Sequence, residues 1–66
     1  MGYTLFAELK DKDGDDYEVH FRDGYVSLNV INNDMIALDA AQLNILLETL
    51  VAAAGAANIE LINIRS

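Results

Sequence analysis

Asp23-Gly24 stands between two runs in which apolar and polar residues alternate, and it limits what this chain can fold into more than any other feature. Before it, Tyr17, Val19 and Phe21 alternate with Glu18, His20 and Arg22. After it, Val26, Leu28 and Val30 continue the same period. Period two sends successive side chains to opposite faces, so each run reads as a half-buried strand. Asp and Gly both tolerate the positive φ of a type I′ turn, which predicts a tight antiparallel hairpin.

The flanking segments extend the pattern. Residues 3–9 alternate, with Tyr3, Leu5, Ala7 and Leu9 on one face and Thr4, Phe6 and Glu8 on the other, giving a first strand. Asp11-Lys12-Asp13-Gly14-Asp15 follows as a polar turn with a glycine free to take positive φ. Asn32-Asn33-Asp34 makes another turn, and residues 35–38 read as a short fourth strand. Asp39 with Gln42 three residues on has the form of a capping box. Leu43, Leu46, Leu47, Leu50, Val51 and Ala54 then recur at helical spacing, and Gly55 fits the stop. Residues 58–64 are β-branched and read as a last strand with Ile59 and Leu61 on one face and Ile62 and Ile64 on the other. Apolar residues on both faces predict a central or doubly covered strand. The expected architecture is one α+β domain over residues 1–66. A small antiparallel sheet of four to five strands carries one helix on one face, in the order β-β-β-β-α-β.

With 66 residues, such a domain buries only roughly 60% of the surface its unfolded chain exposes, and domains of this size often need a staple or a partner. There is no cysteine and one histidine, His20, so disulfides, thiolate zinc sites and multi-histidine metal sites are excluded. Association with another chain is the remedy left. An apolar fraction of 53% argues against disorder. No apolar run approaches the roughly 20 residues that span a bilayer. The N-terminus lacks the basic-then-apolar pattern of a signal peptide. The expectation is a cytoplasmic protein, in the host cytoplasm if the chain is viral.

Eleven acidic residues face four basic ones, for a formal charge of −7. That balance opposes direct binding of nucleic acid or of an anionic membrane surface, and suits a protein partner with a basic surface. The charge is concentrated: Glu8, Asp11, Asp13, Asp15, Asp16, Glu18 and Asp23 lie against Lys10, Lys12 and Arg22. This acidic hairpin is the candidate partner-binding site. Asp11, Asp13 and Asp15 share the first ligand spacings of an EF-hand loop. The sixth position holds Asp16 instead of Gly, however, and the twelfth holds Arg22 instead of Glu. The segment reads as a turn, and neither metal nor cofactor is expected.

His20 falls on the polar face of its strand near Ser27 across the hairpin. A Ser-His pair invites a hydrolase reading, but a flat strand surface offers it neither an orienting group nor an oxyanion hole. No catalytic residue is assigned. Phe6, Tyr25 and Ile31, joined by His20 and Arg22, form a modest second surface on the sheet face away from the helix. The helix has a second apolar side of its own. Ile45 stands away from the leucine stripe, and Ala41, Ala52 and Ala53 give little polar cover. Together with Ile62 and Ile64, residues Ile45, Ala41 and Ala52 form a candidate homodimer interface, with two-fold symmetry as the default.

Strands followed by a helix that opens Ile-Ala-Leu-Asp-Ala-Ala-Gln-Leu (residues 36–43) loosely resemble, over residues 25–50, the single-strand-binding transcriptional coactivator type of domain. That class implies a basic sheet face that holds nucleic acid. This sheet carries Glu8, Asp16 and Glu18, so the implied function is not carried over. The sequence points to a non-enzymatic acidic interaction domain. Small size and acidity suggest a phage-type inhibitor, of anti-CRISPR or nucleic-acid-mimic style, acting on a nucleic-acid-handling protein. The alternative is a structural or assembly module whose helix and last strand build a homo-oligomer.

Overall fold

A computed structural model describes residues 2–31 and 35–61. Strands β1 (Thr4–Lys10), β2 (Asp16–Arg22) and β3 (Tyr25–Val30) form one antiparallel sheet in the order β1-β2-β3, followed by helix α1 (Ala40–Ala56). The α+β class and the three leading strands agree with the alternation of the sequence. The β2–β3 ladder runs from Tyr17 opposite Val30 to Arg22 opposite Tyr25, which leaves Asp23-Gly24 as a two-residue loop. Of these two residues only Gly24 has positive φ (+86°). The turn is therefore not type I′; a negative φ followed by one near +80° is the pattern of type II. The choice is made by the helix end. The Gly24 N–H donates to the Ala57 carbonyl (2.7 Å), and the Asn58 side-chain amide donates to Asp23 Oδ1 (3.0 Å).

The register of β1 on β2 breaks between Leu5, opposite His20, and Ala7, opposite Val19. This β-bulge adds one residue, and one extra residue inverts the alternation on either side of it. Ala7 and Leu9 share the helix-facing side with Val19 and Tyr17, whereas Leu5 shares the outer side with His20. Phe6 is the residue displaced, and its ring meets the Phe21 ring edge-on at 5.9 Å.

The expected fourth strand is absent. Residues 35–38 join no ladder, and both backbone groups of Ala37 are satisfied elsewhere. The Ala37 N–H donates to Asp11 Oδ2 (3.0 Å), and the Ala37 carbonyl accepts from the Lys12 N–H (2.8 Å). This segment crosses beneath the β1–β2 turn and contributes Ile36 and Leu38 to the core. The expected last strand also differs where it is described. Asn58 has φ of 60°, and the Ile59 N–H donates to the Ala54 carbonyl (2.9 Å) while the Asn58 N–H donates to Gly55 (3.2 Å). These two bonds form a Schellman cap with Asn58, not Gly55, at the left-handed position. Ile62 and Ile64 lie outside the described residues. Asn58→Ala, which forces an alanine to positive φ and removes the bond to Asp23, is expected to cost about 1 kcal/mol by urea unfolding. Asn58→Gly is expected to stay within about 0.5 kcal/mol of the natural chain.

The core lies between the helix and the inner face of β2. Tyr17 (1% exposed), Val19 and Ala53 (both 0%) and Leu46 form its centre, with Leu9, Val26 and Leu50 packed against them. The helix turns Leu46, Ala53, Ala54 and Ala57 inward and leaves Leu43, Leu47 and Val51 about half exposed. The expected stripe is thus rotated. Apolar residues occur on nearly every side of α1, so periodicity fixes its roll only weakly. The small alanines permit close approach to the sheet.

Candidate interaction site

Aspartate 11 is the first residue that the folded chain removes from the acidic surface. It is 3% exposed. Its Oδ1 accepts from the backbone N–H groups of Asp13 (2.8 Å) and Asp15 (2.9 Å), and its Oδ2 from that of Ala37. The Asp11 carbonyl accepts from Gly14 N–H (3.1 Å) and from the Gln42 side-chain amide (3.3 Å). The donated N–H bonds, led by that of Ala37, hold its carboxyl below the usual aspartate range despite desolvation. Asp11 ties together the β1–β2 turn, the 35–38 segment and the helix start, and is a structural residue. The Asp11, Asp13 and Asp15 carboxylates lie within 4.8 Å of one another. Three of the roughly four acceptor sites of Asp11 are already filled by backbone donors, so the turn itself accounts for their convergence.

Asp23 also leaves the set. It sits in the β2–β3 turn, at the opposite end of the sheet, and holds Asn58. Glu8, Asp13, Asp15, Asp16 and Glu18 remain together at the other end. Lys10 pairs with Asp16 and Lys12 with Asp13 (3.0 Å), and each carboxylate raises the pKa of its lysine, chiefly through the hydrogen bond. Both pairs are exposed, so each is weak and screened by salt. Glu8 lies directly opposite Glu18 in the ladder, a like-charge juxtaposition that costs stability unless relieved. Part of the relief comes from His20 and Asn29. Glu18 Oε1 lies 2.8 Å from His20 Nε2 and accepts from the Asn29 side-chain amide at 3.2 Å. These bonds, His20 first, lower the Glu18 pKa. A shallow depression of about 290 Å³ opens between Glu8, Lys10, Asp16, Glu18 and Ile31.

Ser27 is opposite His20 in register, as the hairpin predicts. Among the described residues no hydrogen bond joins them, and the His20 ring nitrogen is engaged by Glu18. The three side chains share an open sheet surface.

The second surface changes membership because of the bulge. Tyr25 (57% exposed) and His20 are on the outer face, but Phe6 is drawn to Phe21 and Tyr3 and Leu5 take its place. The Arg22 guanidinium carbon lies 5.4 Å from the Tyr3 ring centroid and 5.2 Å from that of Tyr25. Both distances are within cation–π range. The stack on Tyr25 was readable from the Arg22–Tyr25 register beside the turn. The contribution of Tyr3 was not, since it needs the bulge. The Asp11 role had a local signal: an aspartate accepting from the N–H two residues on is an Asx turn, and Asp-x-Asp-Gly favours one.

Ala41, Ile45 and Ala52 fall along one exposed flank of α1, and Ile45 adjoins Leu9 and Lys10 at the β1 side. Leu43, Leu47 and Val51 form the other flank. No helix among the described residues is long and apolar enough to cross a membrane. Comparison with protein-family models, with curated proteins and with solved structures finds no match to this chain.

Proposed function

We propose that this chain is a non-enzymatic, acidic protein-interaction domain that docks its β1–β2 end onto a basic surface of a nucleic-acid-handling protein. The action envisaged is that of a phage-type inhibitor of anti-CRISPR or nucleic-acid-mimic style, in the cytoplasm of a host cell. The observation that supports it is the collection of Glu8, Asp13, Asp15, Asp16 and Glu18 at one end of a three-stranded sheet, against only Lys10 and Lys12. Opposed carboxylates on a rigid ladder present charge without the ordering cost of a flexible tail, and a cationic groove that normally tracks phosphates is their complement.

The test uses purified RNA-guided nucleases as probes, at low and high salt. Binding is expected to weaken at least about tenfold between roughly 0.05 and 0.5 M salt, as exposed charges are screened. Asp13→Lys with Asp15→Lys is expected to abolish it. Salt-independent binding, or binding unaffected by the double reversal, would sink the docking reading.

A second reading is favoured by the helix. Ile45 (50% exposed) stands with Ala41 and Ala52 on one flank, and three apolar residues line the other, an unusual amount of uncovered apolar surface for a single helix. In this reading the chain is an assembly module whose helix and last strand build a homo-oligomer, with Ala41, Ile45, Ala52, Ile62 and Ile64 as the contact.

A further inference from the structure

The outer face of the sheet is polarised along β2 in a way the helix is not. Asp16, Glu18, His20 and Arg22 point to this face in succession. Glu8 stands beside Glu18, Leu5 and Ser27 flank His20, and Tyr25 and Tyr3 clasp Arg22. One end is therefore anionic. The other carries a cation fixed between two rings, and the middle holds His20 between Leu5 and Ser27. Among the described residues Arg22 makes no ion pair, so its fork of N–H donors is held in place yet unused. Tyr3 (45%), Leu5 (46%) and Tyr25 (57%) leave substantial apolar area exposed around it. Tyrosine and arginine anchors of this kind dominate protein interfaces energetically.

Glu18 and Arg22 are equidistant in sequence from His20. A two-fold axis midway between two facing sheets, parallel to them and perpendicular to β2 at His20, would place Glu18 of one copy over Arg22 of the other, twice. It would also bring Leu5 onto its own counterpart and set Tyr3 over the second Glu8. Such a surface is self-complementary, which is the requirement of an isologous contact. Two sheets facing each other at about 10 Å leave room for long side chains to meet between them. We propose that two copies of this chain pair face to face through the outer sheet surface. The contact is held by reciprocal Glu18–Arg22 bonds around a Leu5–His20 centre and is independent of any contact made by α1.

Sedimentation equilibrium of the natural chain, Glu18→Arg, Arg22→Glu and the double swap tests the pairing. Each single reversal opposes like charges at both ends, and is expected to weaken the dimer at least about tenfold. The double swap restores opposite charges and is expected to recover most of that loss, with circular dichroism showing that all four proteins fold. Should Glu18→Arg disturb the strand through His20, isotope-filtered NOEs in a mixed labelled and unlabelled natural sample decide instead. Contacts between Leu5 methyls of one copy and Leu5 or tyrosine rings of the other are expected. A natural chain monomeric to about 1 mM, a double swap that recovers nothing, or a dimer broken only by Leu47→Glu or Ile45→Glu would overturn the proposal.

Discussion

Asp11→Asn is expected to lower the midpoint of thermal unfolding by on the order of 10 °C, more than any other single change to an acidic residue. An amide keeps one oxygen, which can still accept from Asp13 and Asp15. It replaces the other with a donor that faces the Ala37 N–H, so two donors confront each other where the natural chain has a bond of 3.0 Å. Scanning calorimetry of the two proteins measures the difference. The same substitution separates the acid limb of stability. Because the folded Asp11 pKa is lowered, its contribution is full above the unfolded value of about 3.9 and is lost as pH falls through the folded value. Glu18, also lowered, acts in the same direction from its own unfolded value near 4.3. Stability of the natural chain should therefore decline below roughly pH 4. That of Asp11→Asn should decline less steeply, with the Glu18 contribution retained. Parallel slopes in the two proteins would show that the Asp11 carboxylate does not organise the turn.

Tyr17→Ala should leave the chain unfolded at 25 °C. Among the described residues Tyr17 is the largest fully buried side chain, 1% exposed, and it meets Leu46 and Ala53 from the sheet side. Truncating a buried aromatic costs about 3–5 kcal/mol. A single core in a domain this small supplies about the same, so nothing is left to hold the helix on the sheet. Tyr17→Phe keeps the packing and is expected to remain folded, since the ring and not the hydroxyl fills the space. Circular dichroism and amide dispersion in a proton–nitrogen correlation spectrum distinguish the two. A well-dispersed Tyr17→Ala spectrum would mean that the core is held chiefly elsewhere.

The acidic grouping is legible in the sequence where its geometry is local. Glu8, Asp13, Asp15, Asp16 and Glu18 flank one turn, so their assembly at one sheet end follows from the hairpin alone. Asp11 and Asp23 look the same in sequence and are not. One is turned inward by three backbone donors, one of them from a segment 26 residues away. The other is carried to the far end and holds a residue 35 positions on.

The fold divides along the same line. Alternation in residues 16–30 defines two strands, since a period of two has one geometric solution. The Asp39–Gln42 box starts the helix because its partners are three residues apart, and both of its bonds are present. Three features lay beyond such local reasoning. The bulge between Leu5 and Ala7 leaves no mark in an alternating pattern, yet it moves Tyr3 and Leu5 to the outer face. Residues 35–38 are an apolar run that reads as a short strand, but Asp11 and Lys12 supply Ala37 with the hydrogen bonds a sheet neighbour would have given. The roll of α1 is weakly determined by a sequence with apolar residues on nearly every side, and the fold sets it by turning Leu46 and Ala53 onto Tyr17 and Val19. Periodicity governs what neighbours in the chain can do, whereas burial and hydrogen-bond satisfaction are settled between residues that only folding brings together.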